Sequence, residues 1–500
     1  VALGVHASSY GADSVTVGHG AAASGTASSS VVLGHNSQAG SKLSGELIYD
    51  GATKYITGDG MSGIAIGDAA KSRGNQNIAI GKNALTTNKD ASETFTSNSI
   101  AIGTDAKTLA ANSAIAFGKG AQVAVGSDSA IAMGEGAKAE GTDAMSIGHG
   151  AEAKKSGLSI GHGAQSEGEG AAAFGKDAKS TGKGAVAVGE NAEAAPWRTI
   201  SIGQNAGKGQ AADLVGDKNE QINIGVKAGE NVDGQLNIGI GQAAGSNVQG
   251  KGNIALGQNA GQYIGGTNSS VGNNISIGTN ANQYTTPTDI IESVAIGFNS
   301  QAGTRAMSLG VKTKATADGS VAIGNSAKAL ENNALAIGSY SKAGDYATAI
   351  GSTANAFGAQ SVALGTGTLS GIRASTIGRY SAAHADSSVA IGSDSLVTQN
   401  AHASTAFGSG SVVSGAYSGV WSGAIQNAGT GARADRNVEA RSVIGGTGNY
   451  AIGNKNIVGS QTSDTFVLGN DVKIGASAAT LTTANWAANP SRDLPRSDTV

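Results

Sequence analysis

Several residue types that stabilise ordinary globular proteins are scarce in this chain of 500 residues. It contains no cysteine, which excludes disulfide bonds and thiolate metal sites. Aromatic residues make up only 4 % of the sequence, and there are only 4 prolines. A thick core of large aromatic side chains therefore cannot form, and order must come from thin stacked layers.

The sequence also lacks an excess of charge of either sign and a long hydrophobic run. Lys and Arg number 33 against 36 Asp and Glu, which gives a net charge of −3. Without a basic field, neither nucleic acid nor an anionic lipid surface is expected as a partner. No signal peptide is visible, and no run of about eighteen or more apolar residues could cross a bilayer.

Glycine, by contrast, is abundant at 79 residues and recurs at a nearly fixed interval. Each recurring glycine follows an apolar-x-apolar triplet, as in Val321-Ala322-Ile323-Gly324, and Gly310, Gly324 and Gly338 lie 14 residues apart. So short a unit cannot bury its own apolar face and becomes stable only by stacking on its neighbours. These residues, called motif glycines below, predict an all-β solenoid with coils of about fourteen residues.

Alternation around the motif glycine predicts the faces of the first strand of each coil. Val321 and Ile323 share one face, and Ala322 lies on the other. A strand that is apolar or small on both faces is normally buried on both. We expect Val321 and Ile323 inside the coil, with small residues such as Ala322, Ala336 and Ala363 allowing other copies of the chain to approach closely. We therefore expect the chain to form a cyclic homo-oligomer.

A second, half-exposed strand is predicted after each motif glycine. Ala327-Lys328-Ala329 alternates alanine with a charged residue, and Ala137-Lys138-Ala139, Ala151-Glu152-Ala153 and Ala192-Glu193-Ala194 repeat the arrangement. Lys and Glu therefore form a polar outer column. Solubility and protection against lateral sheet association are the favoured explanations for it, ahead of a dedicated site.

The run Ser-Val-Ala-Ile-Gly at 293–297, 320–324 and 388–392, with the Asn/Ser-x-Ala-x-Ala segment after it, resembles the YadA-type head repeat of trimeric autotransporter adhesins. The resemblance spans most of residues 1–408. It implies a left-handed parallel β-roll, a homotrimeric rod and a place on the outer membrane of Gram-negative bacteria.

The same resemblance implies adhesion as the function of the chain. The expected partners are a host matrix protein such as collagen, a host cell-surface receptor, or other bacterial cells. Membrane contact is expected only through a C-terminal anchor outside this sequence. The chain opens with Val1-Ala2-Leu3-Gly4, already in the repeat pattern and without an initiator Met, so we expect a fragment or a processed product.

Departures from the regular spacing divide the chain into five predicted segments. These are head repeats with a β-hairpin-like insertion near 36–63 (1–202), head repeats with longer loops (203–297), regular head repeats (298–408), irregular terminal coils with a neck-like transition (409–475), and a linker toward a following segment (476–500).

The longest departures are candidates for a specialised contact surface. They are a hairpin within Glu46 to Thr57 and the loops from Gln262 to Asn274 and from Tyr284 to Glu292. Plain tolerance of insertions is the more frequent explanation of such loops. In this region we take Gly239 as the motif glycine that precedes Gly257 by 18 residues.

The sequence points to no catalytic chemistry. An enzyme on a β-solenoid, such as a polysaccharide-cleaving one, would need paired carboxylates in a groove, whereas Glu152 and Glu193 stand singly on the outer column. We assign no catalytic, cofactor-binding or metal residues, and we name no ligand-binding residues. The remaining alternative to an adhesin is a phage tail-fibre-type host-recognition protein, because trimeric β-rods also suit that task.

Four histidines directly follow motif glycines, namely His19, His35, His149 and His162. Stacked in a symmetric trimer, they could bind an ion or sense pH. A solvated turn position is the favoured interpretation of these residues from the sequence.

Overall fold

The computed structural model describes residues 1–23, 27–39, 62–87, 97–210, 220–265, 272–285, 288–422, 442–454, 456–470 and 472–475. All regular structure in these ranges is β, in strands of two or three residues. None of the described residues belongs to a helix long and apolar enough to cross a membrane. The chain divides into two units, one holding the described residues up to Tyr263 and the other those from Ile264 onward.

One coil consists of two short strands joined by two turns. Val321–Ile323 ends at Gly324, and a turn leads to Lys328–Ala329. A second turn leads to Leu335–Ile337, which pairs in parallel and in register with Val321–Ile323. Lys328–Ala329 pairs in the same way with Lys342–Ala343. The first strands of successive coils thus form one parallel ladder, the first ladder, and the second strands form another, the second ladder.

In the first unit the strands of each ladder pair in parallel. The described strands of its first ladder are Ala2–Leu3, Val15–Val17, Val31–Leu33, Ile64–Ile66, Ile78–Ile80, Ile100–Ile102, Ile115–Phe117, Ile131–Met133, Met145–Ile147, Leu158–Ile160, Ala172–Phe174, Val186–Val188, Ile200–Ile202, Ile222–Ile224, Ile238–Ile240 and Ile254–Leu256. Those of its second ladder are Ser8–Ser9, Ala22–Ala23, Gln38–Ala39, Lys71–Ser72, Leu85–Thr87, Lys107–Leu109, Gln122–Val123, Lys138–Glu140, Glu152–Lys154, Gln165–Ser166, Lys179–Ser180 and Glu193–Ala194.

The second unit repeats the arrangement. The described strands of its first ladder are Ile275–Ile277, Val294–Ile296, Met307–Leu309, Val321–Ile323, Leu335–Ile337, Thr348–Ile350, Val362–Leu364, Ser375–Ile377, Val389–Ile391, Thr405–Phe407, Gly419–Trp421, Tyr450–Ile452 and Phe466–Leu468. Those of its second ladder are Gln301–Ala302, Lys314–Ala315, Lys328–Ala329, Lys342–Ala343, Asn355–Ala356, Leu369–Ser370, Ala382–Ala383, Leu396–Val397, Val412–Val413, Val443–Ile444, Ile457–Val458 and Lys473–Ile474. The predicted parallel β-solenoid with coils of about fourteen residues is confirmed.

The interior of a coil is a thin layer of small side chains. Ala322 from the first strand and Ala329 from the second are both fully buried, and the buried cluster that contains them consists entirely of alanines, from Ala281 to Ala363. Small side chains fill the space between the two strands of these coils. Farther along, Val397 and Ile444 occupy interior positions, so larger side chains enter the layer there.

Two positions in the turn after the first strand have backbone angles that favour glycine. The motif glycines have φ near that of Gly118, +132°, and the second residue after them lies in the left-handed region, as Gly120 does with φ of +65°. Asn83 and Asp105 fill the second position in other coils. Asn, Asp and Gly are the residues that tolerate this conformation best, which explains their recurrence in the sequence.

Coils of the first unit after Glu193–Ala194 contain no described second-ladder strand. Buried amides bridge the turns of these coils. The Asn237 Oδ1 atom accepts hydrogen bonds from the Asn253 backbone N–H at 2.9 Å and from its Nδ2 at 3.0 Å. The Asn237 Nδ2 donates to the Gly250 carbonyl at 3.0 Å. The recurrent Asn-Ile of these coils thus satisfies backbone groups of the longer turns, which would otherwise be buried without partners.

The assignment of Gly239 as a motif glycine is wrong. Gly239 is the middle residue of Ile238–Ile240 and pairs with Ala255, an interior position. The motif glycine is Gly241, with φ of +129°, and it lies 16 residues before Gly257. The Ile-Gly-Ile-Gly sequence offers two glycines, and only the side-chain direction of the strand distinguishes them.

Candidate functional surfaces

The outward side of the first ladder carries an apolar surface in both units. In most strands the first and third residues are Ile, Val, Leu, Met or Phe, and these side chains point away from the coil interior. In the single chain Phe117 is 49 % exposed, Ile240 40 % and Ile377 41 %. We call this surface of first and third residues the ladder face.

The sequence-based assignment of strand faces is therefore wrong. Ala322, Ala336 and Ala363 are fully buried inside the coil, whereas Val321 and Ile323 lie on the ladder face and are partly exposed. The small residues thus do not mediate an approach between chains. Alternation places alanine and isoleucine on opposite faces but does not say which face is inside. The packing of the first strand against the second strand of its coil decides it, because alanine side chains fill the layer between them.

The second ladder carries the predicted polar column. Lys314 and Lys342 are exposed while Ala315 and Ala343 next to them are buried, and Lys328 follows the same alternation.

The column changes character farther along the second unit. The outward positions there are Leu369, Ala382 and Val412, which are 9 %, 8 % and 7 % exposed. The charged column therefore does not continue over these coils. The regular repeats earlier in the chain give no indication of this change.

Exposed ion pairs connect successive coils on the turns. Lys119 Nζ lies 2.8 Å from Glu135 Oε1, and Lys183 Nζ lies 2.8 Å from Glu169 Oε2. The hydrogen bond from the Lys119 ammonium lowers the pKa of Glu135. Because these side chains are largely in solvent, the pairs contribute little to stability. Their arrangement supports the solubility interpretation of the charged surface.

The four predicted histidines all lie in exposed turns, and the structure brings them together in two pairs. The rings of His149 and His162 lie 4.9 Å apart at 12°, and those of His19 and His35 lie 5.4 Å apart at 19°. His384 lies in a less exposed position, and burial lowers its pKa. Its sequence context carries no motif that predicts this environment.

Parts of several predicted segments lie outside the described residues. This applies to residues 40–61 with the hairpin, to 266–271 and 286–287 of the two longer loops, to 423–441, and to the linker from 476 onward. Among the described loop residues, Tyr284 is half-buried. Its burial raises the pKa of the phenol to about 12, and its Oη donates to the Ala302 carbonyl at 3.4 Å. The division into five segments stays a prediction.

No group of three or more His, Asp or Glu side chains within the described ranges is placed to hold a metal ion. The acidic side chains that sequence analysis considered for catalysis lie on the outer surface. The Glu152 Oε1 atom forms an ion pair with the Lys154 Nζ atom at 2.9 Å. The partner of this carboxylate is thus an ammonium group and not a second carboxylate.

Comparison with known families identifies the repeat. The family described as YadA head domain repeat (2 copies) matches residues 59–84, 97–121, 126–151, 180–206, 302–327, 315–341 and 343–368. Each match spans about two coils, in keeping with a two-copy description. Proteins of curated function give no match to the chain. These matches lie on both sides of the long-loop coils, and in the matched ranges the parallel β-solenoid is built from repeats similar to the YadA head domain repeat.

Proposed function

We propose that the chain is the head of a trimeric surface adhesin. The ladder face is the observation that carries the proposal. Isolated proteins rarely expose contiguous apolar patches of more than a few hundred Å², yet most strands of the first ladder add two apolar side chains to this face. Other copies of the same chain are its natural cover, because they repeat the same coil spacing.

The energetic gain from covering the ladder face is large enough to hold copies together. Full burial of a Val, Leu, Ile, Phe or Met side chain contributes about 1.5–3 kcal/mol. With 40 % of Ile240 still exposed in the single chain, covering such a residue gains about 1 kcal/mol. Two per coil reach the association cost of ~4–15 kcal/mol within about ten coils.

Three copies and left-handed winding follow from the resemblance to YadA-type heads. Closed cyclic symmetry places the ladder faces together at the axis and leaves the turns and the polar column outside. The outer surfaces then meet the partner, which we propose to be a host matrix protein, a host cell-surface receptor or another bacterial cell. The proposed location is the bacterial cell surface, with anchoring by a C-terminal part outside this sequence.

The family match supports this adhesin over the phage tail-fibre alternative and over an enzyme. Repeats of this family are structural and adhesive, and the acidic side chains named above lie singly on the outside. We therefore propose a binding function without catalysis and without a cofactor. The residues that contact the partner stay unassigned.

The oligomer is tested by native mass spectrometry and sedimentation of the untagged chain. The expected mass is three times the 48.7 kDa of one chain. A monomer at micromolar concentration would refute the argument from the ladder face, since so long an apolar surface would then be stable in water.

Adhesion is tested separately, by binding of the trimer to immobilised matrix proteins, to host cells and to itself. The heat-unfolded chain is the matched control for nonspecific adsorption. Saturable binding of the folded chain alone to at least one of these targets is expected. A folded trimer that binds none of them would refute adhesion while leaving the assembly intact.

A further inference from the structure

Two pairs of histidines in the first unit stack across successive coils. The ring centroids are 4.9 Å apart for His149 and His162 and 5.4 Å apart for His19 and His35. Each histidine directly follows a motif glycine, and all four side chains are exposed. We propose that each pair is a binding site for a divalent transition-metal cation such as Zn²⁺, held by one nitrogen from each imidazole.

The backbone holds the first pair at a fixed separation. The Gly161 N–H donates to the Ile147 carbonyl at 2.8 Å, and the Gly163 N–H donates to the His149 carbonyl at 2.9 Å. These two hydrogen bonds lie on either side of His162 and join its coil to that of His149. Neither imidazole can move away along the solenoid, so binding a cation costs little ordering of the backbone.

The spacing suits chelation. Zn–N bonds are about 2.0–2.1 Å long, so two nitrogens on one tetrahedral ion lie roughly 3.4 Å apart. The nearly parallel rings of His149 and His162, with an interplanar angle of 12°, reach this separation by turning about their Cβ–Cγ bonds. Neutral imidazole is a preferred ligand of Zn²⁺, Ni²⁺ and Cu²⁺. Water completes the coordination, because no third protein ligand of the described residues is in place.

The surroundings leave room for a hydrated cation and attract it. A Cβ atom added at Gly150, the residue after His149, would meet no atom within 4 Å. A carboxylate lies beside the pair on the next coil. The Asp177 Oδ1 atom lies 4.0 Å from the His162 Nδ1 atom. The potential of this carboxylate favours a cation.

The second pair has its own orienting carboxylate. The His35 Nδ1 atom lies 2.8 Å from the Asp68 Oδ1 atom. A carboxylate on Nδ1 holds the proton there and leaves the Nε2 lone pair for a metal, as is common for metal-bound histidines. Asn36 Nδ2 lies 3.3 Å from that Nε2 atom and would give way to the cation. His6 packs edge-on against His19 at 5.8 Å and limits the rotation of that ring.

The test is calorimetric titration of the untagged full chain with ZnCl₂. One ion per histidine pair is expected, and His162→Gln should remove the site of the first pair alone. His35→Gln should remove the other site, and the double variant should bind at least tenfold more weakly than either single variant. His402→Gln is the matched control, because His402 is an exposed turn histidine outside both pairs. Circular dichroism checks that each variant keeps its strands.

Three results would overturn the proposal. The first is a wild-type chain that does not bind Zn²⁺. The second is a His162→Gln variant that binds as many ions as the wild type, and the third is a His402→Gln variant that loses as much binding as His162→Gln. Titration with MgCl₂ adds a further check, since a site made of nitrogen ligands should not bind this oxygen-seeking ion. Equal affinity for both cations would show that the carboxylates, and not the imidazoles, hold the ion.

Discussion

Replacing the motif glycine Gly118 with alanine should separate two coils of the solenoid. A Cβ atom at this position would lie 2.5 Å from the carbonyl oxygen of Gly134 in the next coil and 2.6 Å from its carbonyl carbon. Both are backbone atoms, which cannot rotate away. Gly118 also has φ of +132°, in a region that residues with a side chain rarely adopt. Gly120, two residues later, has φ of +65° and open space around its Cβ position, which makes it the matched control.

The magnitude follows from the hydrogen bonds at this contact. Ordinary van der Waals contact begins near 3.4 Å, so the coils must open by about 0.9 Å at this point. The bonds from the N–H groups of Gly134 and Gly136 to the preceding coil are both 2.8 Å long and would be stretched beyond bonding range. Their loss costs about 1 kcal/mol each, and the backbone strain adds ~1–3 kcal/mol. The total is about 4 kcal/mol.

The control substitution should cost much less. Alanine in the left-handed region costs about 1–2 kcal/mol, partly offset by ~0.4–1 kcal/mol from the reduced freedom of the unfolded chain. Gly120→Ala should therefore destabilise by about 1 kcal/mol. Because neighbouring coils of a solenoid unfold locally, hydrogen exchange of peptides that contain Phe117 and Gly134 is a better readout than one melting temperature.

The two variants should differ by about 3 kcal/mol in local opening, which is roughly a hundredfold in exchange rate. Gly118→Ala should show this loss of protection in the coils on both sides of the substitution. Equal protection in the two variants would refute the reasoning, because the close backbone approach would then not be what requires glycine.

Three further predictions concern the interior, a buried phenol and an exposed ion pair. Ala349→Asp places a charge in the buried alanine layer and should unfold neighbouring coils at a cost of several kcal/mol. Ile350→Asp, on the ladder face, should leave the circular dichroism unchanged and only lower the temperature at which copies separate in light scattering. The reverse result would restore the face assignment made from the sequence. Burial raises the pKa of Tyr284 to about 12. The neutral phenol therefore stabilises the fold fully below pH 10, and this stabilisation falls between pH 10 and about 12. Tyr284→Phe should remove the last step of a tyrosinate absorbance titration. The hydrogen bond from Arg373 lowers the pKa of Asp386, yet the pair lies at the surface. Arg373→Ala should therefore leave the melting temperature unchanged within the error of a thermal scan. A shift of several degrees would mean that solvent does not screen the pair.

The sequence predicted the solenoid because its repeat is visible without any structure. Motif glycines such as Gly310, Gly324 and Gly338 mark successive coils, and Ala327-Lys328-Ala329 marks a half-exposed second strand. Both features repeat so often that chance matches do not obscure them. The family comparison rests on the same repetition.

The candidate surfaces were less predictable. The histidines after the motif glycines were visible in the sequence, but their stacking distances depend on the register between coils. The buried amides around Asn237 were hidden, because an Asn directly before a strand is normally interpreted as an exposed turn residue. Leu369 and Val412 likewise give no sign in the sequence that the outward side of the second ladder becomes buried.

The sequence by itself determined the repeat length, the strand alternation and the glycine at each turn, because these are local and recur in every coil. Only the tertiary structure decided which side of the first strand faces inward. Ala322 and its equivalents, mostly alanine with valine in a few coils, fill the layer between the two strands of a coil, and the larger Val321 and Ile323 are turned outward. This choice depends on how the two strands of a coil pack against each other, and the alternation within a single repeat does not contain that information.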